Sequence, residues 1–262
     1  MHLRGAKHKS TAHFENWCSL MWQTRSMSNT ASTPRSRARE QTMRDIVRIG
    51  RTHLATEGAA ALSLRAVARD LGVVSSAVYR YVESRDELLT LLVVDGYDEL
   101  GDAVDEALAP IDRADHARRM LVIGRVVREW ALAEPATYAL LFGSPVPGYE
   151  APAERTTVPG TRVIRRLVEV WEDAWAAGEV LLPEESVGPR RLVRDLAKVR
   201  RELGITAPEA LVARGMLVWA ALFGCVSFEV FGQYGADTFT DPKDIFEHHL
   251  AALVATVGLQ PS

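Results

Sequence analysis

An all-α fold, with a small basic head ahead of a larger acidic body, is what this chain of 262 residues predicts. Three observations carry the prediction. Apolar residues recur at helical spacing along most of the chain, and nowhere is apolar/polar alternation sustained long enough for a strand. The stretch Ser63 to Val82 reads as two short helices joined by a tight turn at Gly72. Charge is divided unevenly: residues 31–85 carry ten arginines and five acids, a net of +5, and residues 1–30 a net of +3, leaving −11 on residues 86–262. A basic head suits phosphate neutralisation, and an acidic body is unsuited to touching DNA.

Residues 1–34 are polar, poor in periodicity and end in a Ser/Thr/Pro stretch, the composition of a disordered extension. Met27 is an alternative start within it. Arg4, Lys7 and Lys9 are not followed by the apolar core of a signal peptide. A first helix is expected over Arg39–Thr56, with Met43, Ile46, Val47, Gly50 and Leu54 on one stripe, closing at Glu57-Gly58; Arg35, Arg37 and Arg39 precede it as a flexible arm for a phosphate strand or minor groove.

In the second helix Leu64, Val67, Ala68 and Leu71 form one apolar face. Beyond Gly72, Val78 and Val82 can pack back on that face, which leaves Ser75, Ser76, Tyr79 and Arg80 outward. This is the pattern of a helix-turn-helix whose second member enters a major groove. Ser84-Arg-Asp-Glu87 is a capping box opening a fourth helix to about Leu108, before Pro110.

Helices follow over Ala114–Ala133 and Ala136–Phe142, then a Pro/Gly-rich loop over residues 143–152. Further helices are expected at Thr161–Ala177 and Arg190–Leu203. Thr206-Ala-Pro-Glu209 reads as a capping box for a long apolar helix to about Tyr234. Asp241-Pro242 opens the last helix, with Ile245, His249, Leu250, Leu253 and Val257 as its stripe. The uncharged run of the long apolar helix, Gly215–Phe228, is fourteen residues, short of the roughly twenty needed to span a bilayer; no membrane partner is expected.

The segment from about Thr42 to Leu88 resembles the N-terminal domain of TetR-family transcriptional regulators. The resemblance rests on Ser63, Val67-Ala68, Leu71-Gly72-Val73, Ala77-Val78-Tyr79, Tyr81 and Ser84-Arg85 followed by Leu88. Val74 stands where the family usually has a capping Ser or Thr, Val82 where it has Phe, and Arg85 where it has Lys. The resemblance implies double-stranded operator DNA as partner, with Tyr79, Tyr81 and Arg85 near phosphates and Ser63 and Ala77 among the DNA-facing set. Ser75, Ser76 and Arg80 are the candidates for base edges, Arg80 for a bidentate contact to guanine. The division expected is 1–34 extension, 35–84 DNA-binding domain and 85–262 helical effector-binding and dimerisation domain.

In the body, Trp130, Tyr138, Phe142, Trp171, Trp175, Trp219 and Phe223 fall on several helices. Rings converging from several helices either fill a core or line an apolar pocket for a small hydrophobic effector, and the resemblance favours the pocket. The loop after Phe142 together with Trp219–Phe231 is similar to one subgroup of TetR C-terminal domains. Gly215 and Gly224 would allow close helix approach, with Phe228, Phe231, Leu250 and Val254 sealing a homodimer interface.

Enzymatic constellations are missing: no Gly-rich phosphate loop, nucleophile elbow or metal spacing occurs, so neither catalysis nor a cofactor is expected. His248 and His249 point to different helix faces, and His53 lies beside an apolar stripe as a core or surface histidine. Glu172-Asp173 and Glu184-Glu185 read as solvated faces. Cys18 and Cys225 fit no metal-ligand spacing, and Cys225 in an apolar helix suits a reduced thiol in the cytoplasm. The function expected is a ligand-responsive DNA-binding repressor that releases a palindromic operator when its effector binds; the alternative is an effector-independent regulator with a filled core.

Overall fold

A computed structural model describes residues 33–181 and 187–260. Expectations falling on the first 32 residues, Met27 and Cys18 included, and on Glu184-Glu185 lie outside the described residues. Among the described residues all regular structure is helical.

The head comprises α1 (Pro34–Glu57), a 3₁₀ turn (Ala59–Ala61), α2 (Leu64–Asp70) and α3 (Ser75–Tyr79). Helix α1 starts five residues earlier than expected. Thr33 caps it, its Oγ1 accepting from Ser36 N at 3.1 Å, and Pro34 sits in the first turn, where its missing N–H costs nothing. Arg35, Arg37 and Arg39 are therefore exposed residues of a helix, which corrects the flexible-arm reading. Ile46, Val67 and Val82 are completely buried in the head core together with Leu88 and Leu89 of the next helix. Val82, smaller than the usual Phe, is thus a filled position.

Helix α4 (Arg85–Leu108) begins as its capping box predicts, Ser84 Oγ accepting from Glu87 N at 3.1 Å. It shares its first turns with the head core and its later ones with the body core, so it belongs to both. Around it pack α1, α5 (His116–Ala133), α6 (Pro135–Phe142), α7 (Ala153–Gly160) and α8 (Arg162–Ala176). Helix α7 follows directly on the loop expected over residues 143–152 and fills a stretch for which no element was expected. Pro152 stands at its N-cap, where no intrahelical N–H is needed, and Pro159 lies inside it, one residue from its end.

Helices α9 (Arg190–Glu202), α10 (Glu209–Val230) and α11 (Pro242–Thr256) complete the body. Helix α10 is long and apolar enough to cross a membrane by composition alone. It is instead laid against α11, α5, α8 and α9, and near its end Glu229 receives a two-pronged hydrogen bond from Arg128 of α5, at 2.7 and 2.5 Å. It stops at Val230 rather than Tyr234. Gly232 adopts φ +65°, and Gln233 N donates to Phe228 O at 2.8 Å, a Schellman closure that turns the chain back.

Two expectations about polar residues are corrected here. Thr206 does not cap α10, whose N-cap is Pro208; Thr206 N, Thr206 Oγ1 and Ala207 N all donate to Glu172 at 2.8–3.0 Å. Asp173 accepts from Arg119 at 3.1 Å and Arg113 at 3.2 Å. Glu172-Asp173 therefore ties α8 to two other parts of the body rather than facing water.

Leu250 and Val254 also depart from expectation. They are 3 % and 0 % exposed inside their own subunit, where Leu250 lies on Gly124 of α5, so a second copy cannot reach them. Gly215 is likewise covered from within by the Trp171 ring. Phe246, not Ile245, is the buried member at the start of α11.

Candidate nucleic-acid interface and the groove behind it

The turn between α2 and α3 depends on Gly72, which sits at φ +70°, where a side chain would be strained, while Val73 N closes the turn on Ala68 O at 3.0 Å. Ala68 and Val78 are each 1 % exposed at the helix crossing. With that face buried, Ser76, Tyr79 and Arg80 point to solvent, and Ser75, Ala77, Tyr81 and Ser63 lie half-buried beside them. No side chain caps either short helix: Ser63 and Val74 occupy the N-cap positions without a side-chain hydrogen bond, and neither Ser75 nor Ser76 takes over.

Two arginines are already engaged. The Arg39 guanidinium stacks over the Tyr81 ring, 5.2 Å from its centroid, which joins the basic end of α1 to the segment after α3. Arg85 turns inward rather than out. Its Nη2 donates to Ala59 O at 2.8 Å, Nη1 lies 3.4 Å from Asp86, and Nε is buried without a partner. Arg85 therefore holds the 3₁₀ turn at the end of α1, a role the sequence pattern does not reveal. His53, 5 % exposed, brings Nε2 to 2.6 Å from Asp70 and so joins α1 to α2. That contact, assisted by Arg69, holds the Asp70 carboxyl below its usual range.

The head is fastened to the body by charge. Arg51 of α1 pairs with Asp95 at 3.1 Å and with Glu99 on α4, and with Glu134 at the α5–α6 junction at 3.1 Å. Lower on α4, Arg155 of α7 reaches Glu87 at 2.6 Å, and the Tyr149 hydroxyl lies 3.1 Å from Thr90.

The predicted effector aromatics separate into two groups. Trp130 and Trp171 are 7 % exposed, with indole N–H groups buried and unpartnered. Trp171 packs on Gly215, and Trp175 is half-buried against the same core. The second group is a connected cluster: Phe142 lies 5.1 Å from Tyr138 and 4.5 Å from Phe223, and Phe223 lies 4.3 Å from Trp219. Beside this cluster runs a groove of about 960 Å³, between the end of α1, α6 with its following loop, and the end of α10. Of the seven predicted aromatics it takes Phe142 alone into its lining, with Phe228 and Phe231 opposite.

Comparison with known proteins adds to this geometry. The family model described as "Tetracyclin repressor-like, C-terminal domain" matches residues 120–253. The HTH-type transcriptional regulator Rv1816 of Mycobacterium tuberculosis is 47 % identical over 221 residues, covering 84 % of this chain and 94 % of the relative, and Mb1846 of Mycobacterium bovis matches equally. The crystal structure of the regulatory protein SCO4313 superposes with TM-score 0.69 at 33 % identity, covering 85 % of this chain and all of that one. A tetR-family regulatory protein from Rhodococcus RHA1, at 15 % identity and TM-score 0.56 over 84 % of this chain and 99 % of its own, shares the fold.

Proposed function

Because the chain belongs to the TetR family of transcriptional regulators, we propose that it acts as a homodimeric repressor whose grip on a palindromic operator is released by a small apolar molecule. The observation that carries this reading is the construction of α4, which supplies residues to both cores and bears two of the three carboxylates on Arg51. A displacement of α4 in the body is therefore felt by the head.

On the DNA, Ser75, Ser76 and Arg80 face the base edges, while Tyr79, Tyr81 and the α1 arginines Arg35, Arg37 and Arg39 lie along phosphates, with Ser63 and Ala77 at the margins; Arg85, turned inward onto Ala59 O, is left to position the head. Two such heads in successive major grooves would sit about 34–36 Å apart. A change of a few ångströms in their separation loses simultaneous engagement, so effector and DNA weaken each other reciprocally.

The partner face is the exposed stripe of α10. Leu217, Phe228 and Phe231, at 57 %, 48 % and 43 % exposed, share one side of the helix with Gly224, above which there is open space. Apolar residues this exposed along one helix are the ordinary mark of an interface. As a DNA-binding regulator, the protein is assigned to the cytoplasm.

The test is binding to the DNA upstream of its own gene against a scrambled duplex at fixed, near-physiological salt. A preference of about 10³-fold or more is expected; equal, steeply salt-dependent affinity for both would reduce the head to a generic phosphate binder. An effector-independent regulator is favoured by one observation, the close packing of Trp130 and Trp171. A melting screen against neutral apolar compounds separates the two, since a ligand at 100 times its Kd adds about 2.7 kcal/mol.

A further inference from the structure

The groove between head and body differs from the rest of the surface in one respect: none of its lining residues is ionisable, in a chain that is 25 % charged. The groove on the other side of α1, by contrast, is lined by Glu40, Arg44, Arg48, Asp95 and Asp98 among others. Burying a charge against an uncharged apolar wall is costly, so the lining selects neutral occupants.

Its polar groups are few and their roles can be deduced. The Tyr138 hydroxyl lies 3.1 Å from Phe223 O and 2.8 Å from Ser227 Oγ. A carbonyl only accepts, so the single tyrosine proton goes to Phe223 O and the Ser227 hydroxyl donates to Tyr138. Ser227, part of the groove lining, is left with acceptor capacity there. A ligand that fits is therefore neutral and mostly apolar, with an O–H or N–H donor for Ser227; Ser144 and Gln233 are the other polar side chains of the lining.

The opposite wall is the end of α1, including Gly58 and Ala59. Ala59 O is the atom that Arg85 Nη2 holds at 2.8 Å, while Arg85 Nε is buried with nothing to bond. An occupant pressing on Gly58-Ala59 thus acts on a guanidinium that stands at the start of α4.

We infer that this head–body groove is the effector site, that it takes a neutral apolar molecule with a hydrogen-bond donor for Ser227, and that occupancy reaches the DNA-binding surface through the Ala59–Arg85 hydrogen bond. The inference rests on the ligand-responsive reading above and goes further in placing the site outside the aromatic body core. Gly224, Phe228 and Phe231 of the α10 stripe form one wall of the groove, so a second copy of the chain seated on that stripe is its chief competitor.

The experiment uses the full chain, its selected operator, 1-naphthol as the neutral probe and 1-naphthalenesulfonate as the charged control. Two variants fill the groove: Ala139→Trp, and Ser144→Trp, which replaces an exposed loop residue and leaves the core intact. Equilibrium dialysis should show 1-naphthol bound to the wild type at least tenfold tighter than the sulfonate, and at least tenfold weaker in both variants. Saturating 1-naphthol should lower operator affinity at least tenfold in the wild type, and less than twofold in Ser144→Trp and in Arg85→Met.

Equal binding of the probe to wild type and variants overturns the site while leaving a ligand-responsive regulator intact. Unchanged operator affinity in a probe-saturated groove overturns the coupling. Loss of probe binding as protein concentration drives association means the groove is filled by the second copy, and overturns the proposal as well. Failure of every neutral compound in the melting screen to change DNA binding counts against the ligand-responsive reading itself, whichever residues line the groove.

Discussion

Arg51 on α1 meets Asp95 on α4 at 3.1 Å, the first contact of one guanidinium that also engages Glu99 and Glu134. One cation thus holds three carboxylates from two separate parts of the body. Burial pushes the Asp95 carboxyl upward, Arg51 draws it back, and Glu99 adds to the rise. Without Arg51 the three acids would face one another.

Replacing Arg51 with Met should therefore loosen the head more than an ordinary surface ion pair would. Exposed pairs contribute about 0.2–1 kcal/mol, and here like-charge repulsion adds to the loss. The expected cost is about 1–2 kcal/mol, with hydrogen exchange accelerated in α1 and α4 and little changed in α11. A uniform change across all helices would show that Arg51 is not a local fastening.

On the DNA-facing surface, Arg80→Ala should cost about 1–3 kcal/mol and relax preference at one base position. Arg37→Ala should weaken all sequences alike and lower the salt slope by about 1. Fluorescence anisotropy on an operator panel at several salt concentrations distinguishes a base reader from a phosphate contact.

For assembly, Phe228→Asp puts a charge in the middle of the exposed α10 stripe and should yield monomers by light scattering. Val254→Asp should instead unfold the subunit, because Val254 is completely buried within it. A Phe228→Asp protein that retains its dimer mass would move the interface away from α10.

Close packing can be probed at Gly215. A Cβ there would collide with the Trp171 ring, so Gly215→Ala should cost about 1–3 kcal/mol despite the helix propensity it gains. Gly224→Ala meets nothing within 4 Å in the subunit and should leave monomer stability unchanged or slightly raised. Paired thermal melts of the two variants check this.

Acid sensitivity should arise in part between α5 and α11. Arg125 donates to both oxygens of Glu247, through Nε at 2.8 and 3.1 Å and through Nη2 at 2.8 Å, and this holds the Glu247 carboxyl below the ordinary glutamate range. A lowered folded value means the contribution is complete above the unfolded pKa of about 4.3 and is lost as pH falls through the folded value. Glu247→Gln should flatten the fall in stability below about pH 4.5 while lowering stability near neutrality. An acid limb identical to the wild type would assign that fall to other carboxylates.

What the sequence by itself determined is what local chemistry controls. Gly72 between two apolar faces, Ser84 three residues before Glu87, and Asp241 before Pro242 each act within one turn of chain, and each stands where the pattern puts it. The basic head and acidic body were equally legible, since net charge needs no contacts. Tertiary structure decided which partner covers each apolar or polar face. Periodicity puts Leu250 and Val254 on a stripe, yet only the fold turns that stripe onto Gly124 rather than onto a second subunit. Glu172 looks solvated until Thr206 and Ala207 arrive from 34 and 35 residues away. Arg85 keeps the charge of the lysine it replaces, but its direction depends on the Ala59 carbonyl 26 residues earlier. A helix fixes the bearing of its side chains about its own axis, whereas their partners depend on how helices cross, and that is settled by long-range packing.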